Sequence, residues 1–442
     1  SAKMGNEHLL QERIRLGQSV DFTPFIRHID YPFQQITHHN VYFKAFFDHE
    51  KIGHFAFQST FQQDNRRENR IRRLNHSDIP TVSLHLNSLQ NSLVWNKGYQ
   101  HWKSEAGAQL LITDNTNERG TGVVPIIPNY TEVAFGLYAL QKYTADRWGM
   151  EAGVRFDGQQ TKADGYDWTG RRYGGKRDFA NFTYSLGGHY HINKQLKLTS
   201  HFGVAWRAPH VYELYSNGNE LSSGIFVKGD STLLSEQSYK WISSLKYTSK
   251  YFDVQLDGYL QWINNYIFDQ PTGRNITVVS GAYPVFQYRQ TRAFFQGVDL
   301  DAHVRPVSSL DYHLVTAMIW AREMPSHAYL PYIPSFRLTH SLTWSLPFFK
   351  AFSPKLGLTH RFVAKQTRFN PATDLIANSP EAYHLMGFDV SFSVPMREGQ
   401  SLRVGLMGDN ILNREYKEYT NRSRYYAHDM GRDVRCMITW NF

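Results

Sequence analysis

The sequence has almost no cysteine and no long apolar run. Its 442 residues include a single cysteine, Cys436, which excludes an internal disulfide framework and a cysteine-based zinc site. No segment approaches the roughly 18 consecutive apolar residues that a membrane-spanning helix requires. The segment "SAKMGNEHLL" has no charged region followed by an apolar region, so we expect no signal peptide in it. These absences exclude a helical membrane protein and a disulfide-stapled domain.

Aromatic residues are abundant, although the chain is polar on average. They make up 15% of the residues, while the mean hydropathy is -0.50 and the formal net charge is +9. A soluble enzyme seldom needs so many aromatic side chains while remaining so polar. The positive charge is compatible with nucleic acid, lipopolysaccharide or an anionic ligand as the partner.

Apolar and polar residues alternate along many segments. In the final segment, "GRDVRCMITWNF", the apolar positions are Val434, Cys436, Ile438, Trp440 and Phe442. The segments "DVQLDGYLQW", "FTYSLGGHYHI" and "SLRVGLMGD" show the same alternation. Such segments run about 9 to 12 residues, which is longer than a usual soluble strand and fits a tilted membrane-spanning strand.

The connections between these segments alternate between short and long. We count about seventeen strands from "NVYFKAFFDH" onward. The long connections are expected at residues 63–88, 114–130, 160–178, 207–237, 269–290, 366–383 and 412–430. This pattern predicts an all-β fold, a transmembrane antiparallel β-barrel with short periplasmic turns and long extracellular loops. A soluble β-sandwich or propeller is the alternative, but no blade-like repeat is present.

Two motifs resemble TonB-dependent outer-membrane receptors. At the C-terminal end, the family pattern falls on Asn410, Asn413, Tyr416, Gly431, Arg432 and Phe442. The segment "WRAPHVYELYSNG", followed by "GDSTLLSEQS", resembles a box found in haem, zinc and iron-chelate receptors. The segments "YPFQQITHHN" and "GTGVVPIIPNYT" resemble receptors of this family from Bacteroidetes.

The resemblance implies a domain organisation and a location. Family members combine a plug domain with a barrel of 22 strands, so this chain resembles the last seventeen or so strands without the plug. We expect residues 1–39 to form an extracellular loop region and residues 40–442 to form the barrel, which ends in the closing strand at Phe442. An N-terminal fragment or a second chain would supply the plug and the first strands. The expected location is the outer membrane of a Gram-negative bacterium.

The resemblance also implies a function. The leading hypothesis is a TonB-dependent receptor that imports an iron chelate, haem or another metal complex such as zinc, with no cofactor required. The expected partners are lipopolysaccharide, the TonB energy-coupling complex acting through the plug, and a surface lipoprotein, but not nucleic acid. The alternative is a barrel retained as a structural scaffold in a larger outer-membrane complex. Neither G-x-S-x-G nor H-E-x-x-H occurs, and we expect no enzyme.

The resemblance places the main candidate binding residues in the loop at 207–237. These residues are Arg207, His210, Glu213, Tyr215, Glu220 and Asp230. Haem and zinc receptors usually carry histidines in this loop, where the present sequence has Asn219 and Glu220. His210 is a candidate ligand, or a loop histidine that packs near Tyr212. The identity of any metal ligands stays open.

Two further pairs are candidates near the start of the chain. His38 and His39 are adjacent strand residues, so at most one of them faces the lumen, and both can be ordinary polar rim residues. Arg66 and Arg67 belong to the run "RRENRIRR", which we place on a long extracellular loop. Their guanidinium groups can hold an anionic chelate or lipopolysaccharide phosphates, or they form a solvated charge run.

Overall fold

The computed structural model describes residues 33–72, 76–167, 169–220, 223–278, 281–346, 352–396 and 399–441. Most of the predicted loop region 1–39, and the terminal Phe442, lie outside the described residues. The first described strand begins at Phe33, before the predicted barrel start at residue 40.

Antiparallel strands make up almost all of the described chain. The strands are β1 Phe33–His49, β2 Gly53–Asn69, β3 Val82–Tyr99, β4 Trp102–Asn117, β5 Asn129–Thr144, β6 Trp148–Tyr166, β7 Arg172–His191, β8 Leu196–Arg207, β9 Asn217–Glu220, β10 Ile225–Lys228, β11 Glu236–Thr248, β12 Phe252–Val278, β13 Gly281–Val307, β14 Leu310–Met324, β15 Arg337–Ser345, β16 Lys355–Val363, β17 Tyr383–Pro395, β18 Ser401–Asp409 and β19 Asp433–Asn441. One short helix, α1 Val211–Tyr215, and 3-10 turns at Pro371–Thr373 and Arg422–Tyr425 lie in the connections between these strands.

The number of strands in the barrel wall agrees with the prediction. The described residues form one sheet of nineteen strands, of which β9 and β10 are short strands within one loop. The other seventeen pair antiparallel with their neighbours in sequence, and β8 pairs with β11 across that loop. The all-β fold with strand-to-strand hairpins is therefore confirmed.

Side chains alternate between the two faces of the sheet along each strand, and this alternation determines which of them face outward. On β12, Leu256, Leu260 and Trp262 lie on one face and are exposed, opposite a face that carries Gln255, Asp257 and Gln261. Because lipid tails accept apolar side chains and an aqueous lumen accepts polar ones, this exposure pattern is typical of a membrane barrel. Most of the hydrophobic clusters of buried residues lie instead at the extracellular ends of strands and in the loops between them.

The predicted extents of three long loops are wrong. The segments at 63–88, 160–178 and 269–290 are largely strand, since the ladders continue to Phe33↔Asn69, Tyr166↔Arg172 and Val278↔Gly281. The first two segments are polar, and the third contains Pro271, Gly273 and Gly281, so all three resemble loops in the sequence. Two paired strands share backbone hydrogen bonds, and water can hydrate the backbone groups at their open edges, so such a ladder can continue above the membrane without an apolar face.

The two outermost strands each have one pairing partner within residues 33–441. β1 pairs with β2 and β19 pairs with β18, and no ladder between β1 and β19 is present in the described part of the chain. Both strands are exposed along nearly their whole length. The described sheet is therefore open between these two edges.

No helix among the described residues has the length and apolar character needed to cross a membrane.

Candidate functional site

The loop between β8 and β11 is a folded unit that packs on the inner face of the sheet. Its helix α1 buries Val211, Leu214 and Tyr215 against Tyr130 of β5 and Ala163 of β6. Tyr130 and Ala163 face away from the exposed apolar side chains of their strands. The loop therefore lies over the lumen rather than extending outward.

Strand β10 fixes the far side of this loop. It pairs antiparallel with β9 and parallel with β13, in the register Phe226↔Val285. Ile225 and Val227 are almost completely buried in a cluster with Phe286 and Tyr425. The loop is thus held by backbone hydrogen bonds as well as by apolar packing.

Arg207, at the end of β8, joins the two ends of the loop. It donates hydrogen bonds to Glu213 of α1 at 2.7 and 2.9 Å and to Glu236 of β11 at 2.7 and 3.1 Å. Both carboxylates are mostly buried. A planar guanidinium can bind two carboxylates in this way, whereas a lysine ammonium cannot reproduce the paired geometry.

His210 caps the N-terminus of α1. Its Nδ1 accepts a hydrogen bond from the Tyr212 amide at 3.1 Å, and its own amide donates to Glu213 at 2.8 Å. The reciprocal arrangement is a capping box, with histidine in the place usually held by serine or threonine. The Nδ1 atom is therefore engaged in folding the loop.

The other predicted loop residues also make contacts within the loop. Tyr215 is buried, and Asp230 accepts hydrogen bonds from the amide and hydroxyl of Thr232 at 2.8 and 2.6 Å. The Tyr212 hydroxyl donates to Glu220 at 3.2 Å. Burial, with Glu220 nearby, raises the pKa of Tyr212 above its ordinary value. The residues of the motif between Arg207 and Asp230 therefore contact one another and stabilise the folded loop.

The predicted pairs near the start of the chain lie elsewhere, on β1 and β2. His38 contacts Asp64 at 3.4 Å, and the register places His39 on the opposite face. Arg66 and Arg67 belong to β2, so their predicted place on a loop is wrong; Arg66 pairs with Glu68, and Arg67 lies 3.5 Å from Glu118. The described contacts do not join these residues to the loop after β8.

Sequence reasoning missed a second cluster in the extracellular loops. Arg424 is almost fully buried and donates to Asp374 at 2.5 Å, and the Tyr425 hydroxyl donates to the same carboxylate at 2.6 Å. Beside them, Arg422 pairs with the buried Asp269 and lies over the ring of Tyr332 at 5.1 Å. The only signal in the sequence is the concentration of arginine and tyrosine in "NRSRYY".

This second cluster fastens several loops together. It joins the last loop to the loop at 364–382, to β12 and to the loop after β14. Burial raises the pKa of Tyr332 to about 12. The Asp269 Oδ2 atom is buried and has no hydrogen-bond partner among the described residues. The loops therefore form one connected layer above the lumen, whose arginine charges are largely paired with carboxylates.

Comparisons with known proteins agree with this architecture. The family model described as "TonB dependent receptor-like, beta-barrel" matches residues 7–411. A TonB-dependent heme receptor A from Haemophilus influenzae (strain 86-028NP) is 22% identical over 356 residues, which are 72% of this chain and 46% of that protein. The chain thus spans less than half the length of this relative.

Solved structures show the same fold. The copper transporter OprC superposes with a TM-score of 0.73 at 14% identity, covering 90% of this chain and 65% of that chain. The FrpB iron transporter from Neisseria meningitidis (F3-3 variant) gives a TM-score of 0.66 at 12% identity, covering 92% of this chain and 63% of that chain. The ferric yersiniabactin uptake receptor FyuA from Yersinia pestis gives a TM-score of 0.60 at 13% identity, covering 92% of this chain and 60% of that chain.

The relatives are receptors and transporters, which confirms the prediction that the chain is not an enzyme. They also place it in the outer membrane of a Gram-negative bacterium. None of them supports the scaffold alternative, and none tests the resemblance to receptors from Bacteroidetes. With the family model covering most of the barrel, the chain belongs to the TonB-dependent receptors.

Proposed function

We propose that this barrel is part of a receptor that imports a scarce nutrient, an iron chelate, haem or another metal complex, across the outer membrane. The observation that carries the proposal is the loop after β8, which folds over the lumen instead of projecting from the rim. A loop in this position controls what enters the barrel from outside the cell. The relatives described above, a heme receptor and copper and iron transporters, support a metal-containing cargo.

The loop layer favours recognition by aromatic contacts rather than by free positive charge. Arg207, Arg289, Arg337, Arg422 and Arg424 each form an ion pair with a carboxylate. Tyrosine side chains lie among them, with Tyr212 edge-on to Tyr288 at 6.1 Å between ring centroids. Tyrosine presents a flat apolar ring with a polar tip, which suits a planar or aromatic metal complex.

Energy for release of the cargo would come from the TonB complex, acting on a plug inside the barrel. The plug and the strands that complete the barrel would be supplied by further residues of the same gene product or by a second chain. A surface lipoprotein that delivers the cargo is a further proposed partner. No protein-bound cofactor is required by this scheme.

Lipopolysaccharide would surround the extracellular end of the barrel. Arg322 and Trp320 alternate with inward residues of β14 and lie on its outer face, with Arg368 stacked on Trp320 at 5.2 Å. Guanidinium groups beside an aromatic ring at this level suit the phosphate groups of that lipid.

Growth of a deletion strain tests the proposed function. The strain would be grown under iron, zinc and copper limitation with haem, ferric chelates or free metal salts as sources, with and without the complete gene. We expect the gene to restore growth and cellular metal content on one class of source. Equal growth on every source, with the barrel present in the membrane, would contradict the proposal.

Loop variants locate the specificity. Glu220→Ala and Tyr212→Phe remove one hydrogen bond between loop side chains, and Arg171→Ala removes an exposed charge from another loop. We expect the first two to weaken uptake of the same cargo while Arg171→Ala leaves it unchanged. Quantification of the folded barrel in the outer membrane separates loss of recognition from loss of protein.

A further inference from the structure

Two histidines stack on the lumen face of the wall near its periplasmic end. His303 of β13 and His313 of β14 are direct cross-strand partners, with ring centroids 3.9 Å apart and an interplanar angle of 6°. They lie close to the short turn between β13 and β14. The register places them on the face opposite the exposed Val298.

Asp301 completes a group of three metal-binding side chains. Its Oδ1 atom lies 3.1 Å from His313 Nε2 and 4.0 Å from His303 Nε2. One ligand atom from each of the three residues lies within 4.8 Å of the others. Ligands of a tetrahedral zinc ion lie about 2.0–2.2 Å from the metal, so small rotations of these side chains are sufficient.

A second carboxylate orients one of the imidazoles. Asp311 Oδ1 lies 2.8 Å from His303 Nδ1, and its Oδ2 accepts a hydrogen bond from Arg305 Nε at 2.8 Å. If His303 donates Nδ1–H to Asp311, its Nε2 atom, 4.0 Å from Asp301, keeps a lone pair that can bind a metal ion. A carboxylate in this position fixes the tautomer of metal-binding histidines and raises their basicity.

The three side chains are accessible from an aqueous lumen. Their exposed fractions are 55% for Asp301, 31% for His303 and 32% for His313. Two imidazole nitrogens and one carboxylate oxygen suit zinc and other divalent first-row transition metals, and less so calcium or magnesium.

We propose that Asp301, His303 and His313 bind a divalent transition-metal ion on the lumen wall, with Asp311 as the residue that positions His303. The remaining coordination positions are open to water or to a group from whatever occupies the lumen. This site lies far along the wall from the loop layer and is independent of the proposed cargo.

Metal titration of the complete receptor tests the site. The protein would be purified in detergent with an affinity tag that contains no histidine, and titrated with Co²⁺ and Zn²⁺ by absorption spectroscopy and calorimetry. We expect one ion per chain at the tightest site, with a Co²⁺ spectrum of low coordination number. His313→Ala and Asp301→Asn should each lower the affinity at least tenfold, and Asp311→Asn by about 10–100-fold.

Matched variants control for other surface histidines and carboxylates. Asp299→Asn changes the preceding inward carboxylate of β13, and His76→Ala changes an exposed histidine of the loop between β2 and β3. Neither should change the tightest binding. If His313→Ala and Asp301→Asn also leave it unchanged, the four residues form only ion pairs and the proposal is wrong.

A spectroscopic readout keeps the test independent of variant folding. Cu²⁺ bound to the wild-type receptor should show electron paramagnetic resonance hyperfine structure from two nitrogen ligands. Coupling to one nitrogen, or to none, would contradict the site even if a variant did not fold. Heat-modifiable migration on denaturing gels would report which variants keep the barrel.

Discussion

Arg207 binds both carboxylate oxygens of Glu213 through its two terminal nitrogens, at 2.7 and 2.9 Å, while its Nε atom donates to Glu236. The arginine therefore helps to hold the loop after β8 in its folded position over the lumen, together with the β10 pairing and the apolar packing. Arg207→Ala leaves two mostly buried carboxylates without their cation. We expect it to weaken the docking of the loop by about 1.5–3 kcal/mol, the range for hydrogen bonds to charged groups.

Hydrogen exchange of α1 and β10 would measure this effect. Arg207→Ala should speed exchange in the loop without changing exchange in the barrel strands. Arg207→Lys keeps the positive charge but loses the planar guanidinium group, so its loop exchange rate should lie between those of the wild type and of Arg207→Ala. Arg171→Ala, at a side chain that is 83% exposed, is the control and should change neither. Equal loop exchange rates in the wild type and the three variants would show that Arg207 does not stabilise the docked loop.

Gly229 is the second residue on which the loop depends. A Cβ atom there would lie 2.6 Å from the Leu214 carbonyl carbon and 2.6 Å from the Tyr215 nitrogen, both backbone atoms. Gly229→Ala must therefore displace α1, at an expected cost of about 1–3 kcal/mol. Protease sensitivity of the loop should rise, whereas Gly258→Ala, with nothing within 4 Å of its added Cβ, should behave like wild type. Equal sensitivity of both variants would show that the backbone can shift freely.

The strand pattern of the wall could be predicted from the sequence, but the extent of its strands could not. Alternation along "DVQLDGYLQW" is imposed by lipid on one side and water on the other. Above the membrane that constraint disappears, and the polar segment from Asp269 onward continues as strand only because β13 pairs with it. The pairing depends on tertiary structure that local composition does not report.

The binding residues were harder to predict for the same reason. Arg207 and Glu213 lie in a recognisable motif, so their importance was visible, but their role in folding the loop was not. His303 and His313 are ordinary alternating residues until the register makes them opposite partners. Arg424 and Asp374 are fifty positions apart on different loops, and the sequence contains no sign that they meet.

A row of histidines crosses the outer face of three strands. His360 Nδ1 lies 2.7 Å from His340 Nε2, and His360 Nε2 lies 2.9 Å from His384 Nδ1. The row shares its face with the exposed Leu342 and Leu358. Removing the central member leaves His340 Nε2 and His384 Nδ1 without their partner among apolar side chains, whereas removing all three histidines leaves neither nitrogen there.

We therefore expect His360→Leu to destabilise the barrel by roughly 1–3 kcal/mol, and the triple variant His340→Leu, His360→Leu, His384→Leu to be less destabilised. Unfolding by urea in lipid vesicles, followed by tryptophan fluorescence, would compare the two. A triple variant that loses the sum of three single losses would show that the histidines act independently.

Glu118, which follows β4, makes the extracellular end of the sheet sensitive to acid. Hydrogen bonds from Ser83 and His85, with Arg67 nearby, lower the pKa of Glu118 from 4.5 to about 2. Because the folded pKa is the lower one, this contact stabilises the fold above pH 4.5 and the stabilisation is lost as the pH falls toward 2. Exchange of the Glu118 amide, which donates to the Ser83 carbonyl at 2.9 Å, reports the contact.

After correction for intrinsic rates, protection of this amide should fall between about pH 5 and about pH 2 in the wild type. Glu118→Gln should show weaker protection at neutral pH and no such fall. Glu50→Gln, in an exposed turn at the other end of the barrel, should follow the wild type. Protection that stays constant with pH in the wild type would show that the carboxylate does not hold this end of the sheet.

The edges at β1 and β19 lead to the last prediction. Side chains on both faces of β1 are exposed, including Val41 at 67% and Tyr42 at 64%, and β19 exposes Ile438 at 68%. Among the described residues, each edge strand has no second strand paired with it. In lipid, every unpaired backbone group costs several kcal/mol, so we expect further strands to pair with both edges in the membrane.

Hydrogen exchange of the receptor, purified intact from its own membrane, would test this. The amides of β1 that point away from β2, and those of β19 that point away from β18, should be as protected from exchange as the amides of β7. Peptide mapping should find additional barrel residues, on the same polypeptide or on a companion chain. Cross-linking from Cys436, which is exposed on β19, should capture those residues. If the cross-links instead join β19 to β1 of the same chain, the barrel closes on itself and no further strands are needed.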